Sequence, residues 1–180
     1  MSEATYDVVL LVEQTLSADD VQRIRSLHQN IDDPVHYHVL MPCEDAAARV
    51  ETALGSVAAS EVLATPTITM DPDDVRHVQQ ELDEKATEDV GRCVDRLAES
   101  GDSATGDVVR ADPIVALATK VKATSAQEVI VLTRPHVVAE FFHVDWTSRA
   151  RRKLGVPILH LLEHETFDEQ AGGGEGASLL

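Results

Sequence analysis

The sequence predicts an α/β fold in which a parallel sheet is covered by helices on both faces, and three observations carry that reading. Residues 103–132 run through a short strand, an Asp112-Pro113 turn, an amphipathic helix and an apolar strand, the make-up of a right-handed β-α-β crossover. The runs Val8 to Leu11 and Val129 to Leu132 are apolar without alternation, as strands covered on both faces are. Strand-length and helix-length patterns also alternate along the chain. At 180 residues, one domain with one core suffices, needing neither disulfides nor a structural metal.

Taken in order, Tyr6 to Val12 is an apolar run of strand length, and Ser17-Ala-Asp-Asp20 caps the next helix with acids in its first turn. That helix places Val21, Ile24 and Leu27 on one face, and Asp32-Asp33-Pro34 breaks it before a strand from Val35 to Met41. The alanine-rich residues 44–60 read as a helix, and Val62 to Met70, with Thr65-Pro66-Thr67, as an irregular connection. Asp71 caps a long helix with Pro72 in the first position. Its stripe is Val75, Val78, Leu82, Ala86, Val90, Cys93 and Leu97, ending near Gly101, and Glu81, Asp83, Glu84, Glu88 and Asp89 read as its solvated face.

In the central crossover Asp112 is the cap, Pro113 fills the first helical position, and Ile114, Leu117, Ala118 and Val121 recur at helical spacing before the strand at 128–133. Arg134-Pro135-His136 is a loop. A further helix carries Val138, Phe142, Trp146, Ala150 and Leu154, so Phe142 and Trp146 read as packing residues rather than a stacking platform. Gly155 ends it, and Val156 to Leu162 is the final strand, with Pro157 marking a sheet edge. Val39, Val108 and Ile158 are expected among the buried strand residues. A flexible tail at 165–180, containing Gly172 to Gly174, follows a domain spanning 1–164.

The net charge of −17, from 32 acidic and 15 basic residues, argues against nucleic acid or an anionic membrane as partner. Because the acids are dispersed, they read as a solvated surface, and Arg149, Arg151, Arg152 and Lys153 as cations complementing a helix C-terminus. No apolar run approaches the ~18 residues of a membrane span, and Met1 to Leu10 lacks a signal-like core, so a cytoplasmic protein is expected. Cys43 and Cys93 form no CxxC pair and read as two reduced thiols. His36 and His38 share a strand face, but no neighbouring Cys or carboxylate completes a ligand set, so they read as a structural pair; His160 and His164 sit at a strand end rather than on one helix face. No metal is expected.

Gly106-Asp-Val-Val-Arg-Ala-Asp-Pro113, Val129-Ile-Val-Leu-Thr133 and Gly155-Val-Pro-Ile-Leu159 together resemble the universal stress protein family, within the adenine-nucleotide-binding α/β superfamily. They look like its strand leading into an Asp-Pro helix start, its core fourth strand and its terminal Val-Pro strand. The resemblance is good from Ser103 to Glu163 and weaker before it. It implies a three-layer, doubly wound sheet of five parallel strands in the order 3-2-1-4-5, with an extra helix and the Val62 to Met70 insertion between strands 2 and 3. It also implies a homodimer through Val156 to Leu162, which is apolar on both faces and therefore costly to leave as a free edge.

With that strand order a crevice opens beyond the carboxyl ends of strands 1 and 4. Its walls would be Glu13, Gln14 and Thr15, then Met41 and Pro42, Arg110 to Asp112, and Thr133, Arg134 and His136. Thr147 and Ser148 fall near where the family's closing hydroxyl would lie, and Glu13 near its acidic residue after strand 1. The glycine-rich phosphate signature of nucleotide-binding members is missing: from Asp107 through Leu154 there is no glycine, and the loop carries Val137, Val138, Phe141 and Phe142 instead. Neither a His-x-Gly-His nor an SGGxDS signature is present. The expectation is a universal-stress-protein-like domain without a nucleotide cofactor and without catalysis, acting as a dimeric, stress-related or partner-binding module. The alternatives are an adenine-nucleotide binder, taking ATP or AMP, with slow or no hydrolysis, and an unrelated small-ligand enzyme on the same sheet.

Overall fold

The computed structural model describes residues 4–43, 71–110, 112–133 and 152–162. Five strands, β1 (Tyr6–Val12), β2 (Val35–Pro42), β3 (Ser103–Val109), β4 (Glu128–Thr133) and β5 (Ile158–Leu162), alternate with helices α1 (Ala18–Leu27), α2 (Pro72–Glu99) and α3 (Pro113–Thr124). They form one sheet in the order β3-β2-β1-β4-β5, with every neighbouring pair parallel. Residues 152–154 form a helical turn before Gly155. The helix expected over 44–60, the connection at 62–70, the loop at 134–136, the rest of the helix at 138–154 and the tail at 165–180 lie outside the described residues.

The helix starts follow from local chemistry. Ser17 and Asp20 close a capping box, with the Asp20 amide donating to Ser17 Oγ at 3.1 Å and the Ser17 amide donating to Asp20 Oδ2 at 2.9 Å. Asp20 is buried rather than solvated, its Oδ2 accepting from both the amide and the hydroxyl of Ser17 and its Oδ1 lying 4.0 Å from an Arg23 nitrogen. Asp71 and Asp112 cap α2 and α3, each followed by a proline that needs no intrahelical partner.

Burial divides between the two sheet faces. On one, α1 and α2 bring Val21, Ile24, Val90, Cys93 and Leu97 onto Val8, Leu10, Val39, Ile130 and Leu132. On the other, α3 and Leu154 cover Val9, Leu11, Leu40, Val129 and Val131. The contact between α2 and β3 is close enough to require a glycine: a β-carbon at Gly106 would lie 2.7 Å from Val90 Cγ2 and 3.0 Å from Val94 Cγ2. Val108 and Ile158, expected to be buried, are half-buried because β3 and β5 are the outer strands of the sheet, each with a neighbouring strand on one side alone among the described residues. Among the described residues no helix is long and apolar enough to cross a membrane.

Candidate functional site

The chain leaves β1 toward β2 on one side and enters β4 on the other, so the carboxyl ends of β1 and β4 flank the point where strand order reverses. Glu13 and Gln14 form the bend after β1, half-buried. Thr15 turns toward α2, where its hydroxyl donates to Asp89 Oδ1 at 3.1 Å. Beside it the Leu16 amide donates to Cys93 Sγ at 3.3 Å, the Cys93 thiol lies 3.9 Å from the Gln14 carbonyl, and the Arg96 guanidinium donates to the Leu16 carbonyl. The loop that would floor a crevice is thus tied to one helix.

Of the other expected wall residues, Met41 is 3% exposed and packs in the core beneath α2 instead of lining a surface, because it alternates with Leu40 across the sheet and takes the same face as Val39. Arg110, following β3, is clamped by Asp83: its Nε donates to Oδ1 at 3.1 Å and a terminal nitrogen pairs with Oδ2. Cys43, whose amide donates to the Val109 carbonyl, donates its thiol to the same Asp83 Oδ1 at 3.2 Å, and Gln79 Nε2 donates there at 3.1 Å. Thr133 ends β4, opposite Leu162. Arg134, His136, Thr147 and Ser148 lie outside the described residues.

The electrostatics of this rim are set by two carboxylates of α2. The Arg110 guanidinium, then the Cys43 thiol and Gln79, hold the Asp83 carboxyl below its ordinary value, and Asp83 in turn raises Arg110. Asp89 is 7% exposed; burial pushes its pKa up, but Lys85, Thr15 and Arg92 more than offset that and leave it lowered. Both were expected on the solvated face of α2. They are not there because α2 packs on β3 through Val90 and Val94 at Gly106, and the flank of its apolar stripe meets Thr15 through Asp89 and Arg110 through Asp83. The positions 79, 83, 86, 90, 93 and 97 also recur at helical spacing, and that row was the sequence signal for Asp83.

At the opposite end of the strands, two polar groupings sit on opposite sheet faces. His28, 6% exposed, lies between the Tyr37 hydroxyl (2.9 Å from Nδ1) and Glu128 Oε1 (2.5 Å from Nε2), and burial, then the charge of Asp102, pushes the Tyr37 phenol up. His36 and His38 stack with ring centroids 4.5 Å apart. The absence of a neighbouring carboxylate expected from sequence is corrected by the parallel pairing of β1 with β2, which brings Asp7 Oδ1 to 2.8 Å from His38 Nε2. Among the described residues no three His, Cys, Asp or Glu side chains are arranged to hold a metal ion.

No protein-family model matches the chain, and no curated protein matches it in sequence. Solved structures match it in fold. The hypothetical protein MJ0577, solved for a structure-based assignment of biochemical function, superposes with a TM-score of 0.59 at 10% identity, covering 91% of this chain and 100% of that one. A universal stress protein family protein from Arabidopsis thaliana, solved with AMP bound, gives 0.51 at 13% identity over 91% and 94% of the two chains. The hypothetical protein PH0823 gives 0.51 at 13% identity over 88% and 98%. At such identities the likeness speaks for architecture alone, and this chain has the five-stranded parallel α/β fold of the universal stress proteins.

Proposed function

We propose that this chain is a universal-stress-protein-like module that does not hold nucleotide phosphates and works as a homodimeric or partner-binding unit. The observation that carries the reading is the commitment of the rim to α2: Arg110 is clamped by Asp83, and the Thr15 hydroxyl is given to Asp89. A phosphate arriving there would have to displace the Asp83 carboxylate from the Arg110 guanidinium. The glycine-free stretch from Asp107 to Leu154 and the net charge of −17 act in the same direction. An edge strand β5 with Leu159 38% exposed supports self-pairing through that edge.

The second reading, an AMP binder, draws on the Arabidopsis thaliana structure solved with AMP. Titration calorimetry of the full chain with ATP, ADP, AMP and cyclic nucleotides separates the two. No binding tighter than millimolar is expected; saturable micromolar binding of any of them, lost in Arg134→Ala, overturns the first reading.

A further inference from the structure

On the face of the sheet that carries α3, a hydrogen-bonded chain crosses three strands. Asp7 Oδ1 lies 2.8 Å from His38 Nε2, and His38 Nδ1 lies 3.1 Å from Thr105 Oγ1. The same Thr105 oxygen is 3.2 Å from His36 Nε2, and His36 Nδ1 is 2.7 Å from Ser103 Oγ. Register places these groups side by side: Asp7 opposite His36, His36 opposite Ser103, and His38 opposite Thr105.

With Asp7 ionised and His38 neutral, the direction of every proton in this chain is set. An ionised carboxylate can only accept, so His38 donates from Nε2. With His38 neutral, its Nδ1 is then an acceptor and Thr105 must donate to it. Having spent its proton, the Thr105 oxygen accepts from His36 Nε2, which leaves His36 Nδ1 as an acceptor aimed at the Ser103 hydroxyl. A serine donating to an imidazole whose far nitrogen is held by a further group is the arrangement that activates an oxygen nucleophile. Burial, then the neighbouring His38, lowers the pKa of His36 against the opposing pull of Asp7, favouring the neutral base. Lys120, the cation α3 brings to this face, is paired with Asp107 at 2.6 Å.

We propose that Ser103 is a nucleophile primed by His36, accepting acyl groups from small activated carboxylic esters, with Thr105, His38 and Asp7 as positioning residues that fix the imidazole's tautomer. Ser103 is exposed on an edge strand, so an ester carbonyl can reach it. In the step, Ser103 Oγ bonds to the carbonyl carbon while its proton passes to His36 Nδ1. The carbon–oxygen bond to the leaving group breaks, and that group departs as the alcohol after taking the proton from His36. Water, deprotonated by the same nitrogen, then hydrolyses the acyl-serine to the carboxylic acid and restores the hydroxyl.

The test is incubation of the full chain with p-nitrophenyl acetate at pH 8, following nitrophenol release and mapping the acetyl group by peptide mass. A stoichiometric burst with acetyl on Ser103 is expected, absent in Ser103→Ala and about a hundredfold slower in His36→Gln, the size of a general-base contribution. Thr105→Val should slow it severalfold and move its pH profile, because His36 is then free to take either tautomer. Independently of any reactivity or variant, nitrogen-15 spectra of the wild type should place the proton of both imidazoles on Nε2. Acetylation confined to lysines, an unchanged rate in His36→Gln, or a proton on His36 Nδ1 in the neutral form overturns the proposal.

Discussion

Replacing Gly106 by alanine tests the contact on which the rim depends, since the seat of α2 on β3 determines where Asp83 meets Arg110. The added methyl would lie 2.7 Å from Val90 Cγ2, well inside van der Waals contact. Val90 is 6% exposed and β-branched within a helix, so it has essentially one rotamer and cannot swing away. Overpacking of this kind costs about 1–3 kcal/mol. The smaller unfolded-state freedom of alanine returns about 0.4–1 kcal/mol. A net loss of about 1–2 kcal/mol follows, or roughly 2–8 °C in Tm for a chain of this size. Urea unfolding is the assay, with the midpoint falling at unchanged slope. In the double variant Gly106→Ala/Val90→Ala the clashing methyl is gone, so the two losses should add to less than their sum by about 1 kcal/mol. A neutral Gly106→Ala, or additivity within about 0.5 kcal/mol, would refute the reasoning.

Two further outcomes are expected. For assembly, sedimentation at micromolar concentration should show a dimer that Leu159→Lys dissociates while circular dichroism stays unchanged; a monomeric wild type ends the β5 reading. For the rim, the lowered pKa of Asp89 means that its stabilisation is present above the unfolded carboxyl value of 3.8 and is lost as pH falls through the folded value. Asp89→Asn should therefore be destabilised at pH 7, with the gap to wild type closing below about pH 4; a gap that stays constant down to pH 3 would show that the carboxylate's charge plays no part.

What the sequence determined by itself is the identity and order of the elements among the described residues, because those are set by neighbours within a few residues. Ser17, Asp71 and Asp112 each satisfy helix amides two or three residues ahead, and the unalternating runs at 8–11 and 129–132 state that both sheet faces are covered. The parallel order 3-2-1-4-5 was reached through short motifs, and the observed pairing agrees with it. What only the tertiary structure decided is which polar side chains meet. Asp83 and Arg110 are 27 residues apart, Thr15 and Asp89 are 74 apart, and Asp7 reaches His38 across 31. Periodicity assigns a residue to a face of its own element, but a charge on the flank of a stripe is solvated or buried according to how the helix crosses the sheet. That crossing is set where Gly106 admits Val90 and Val94, a contact between elements that no local pattern in either one contains.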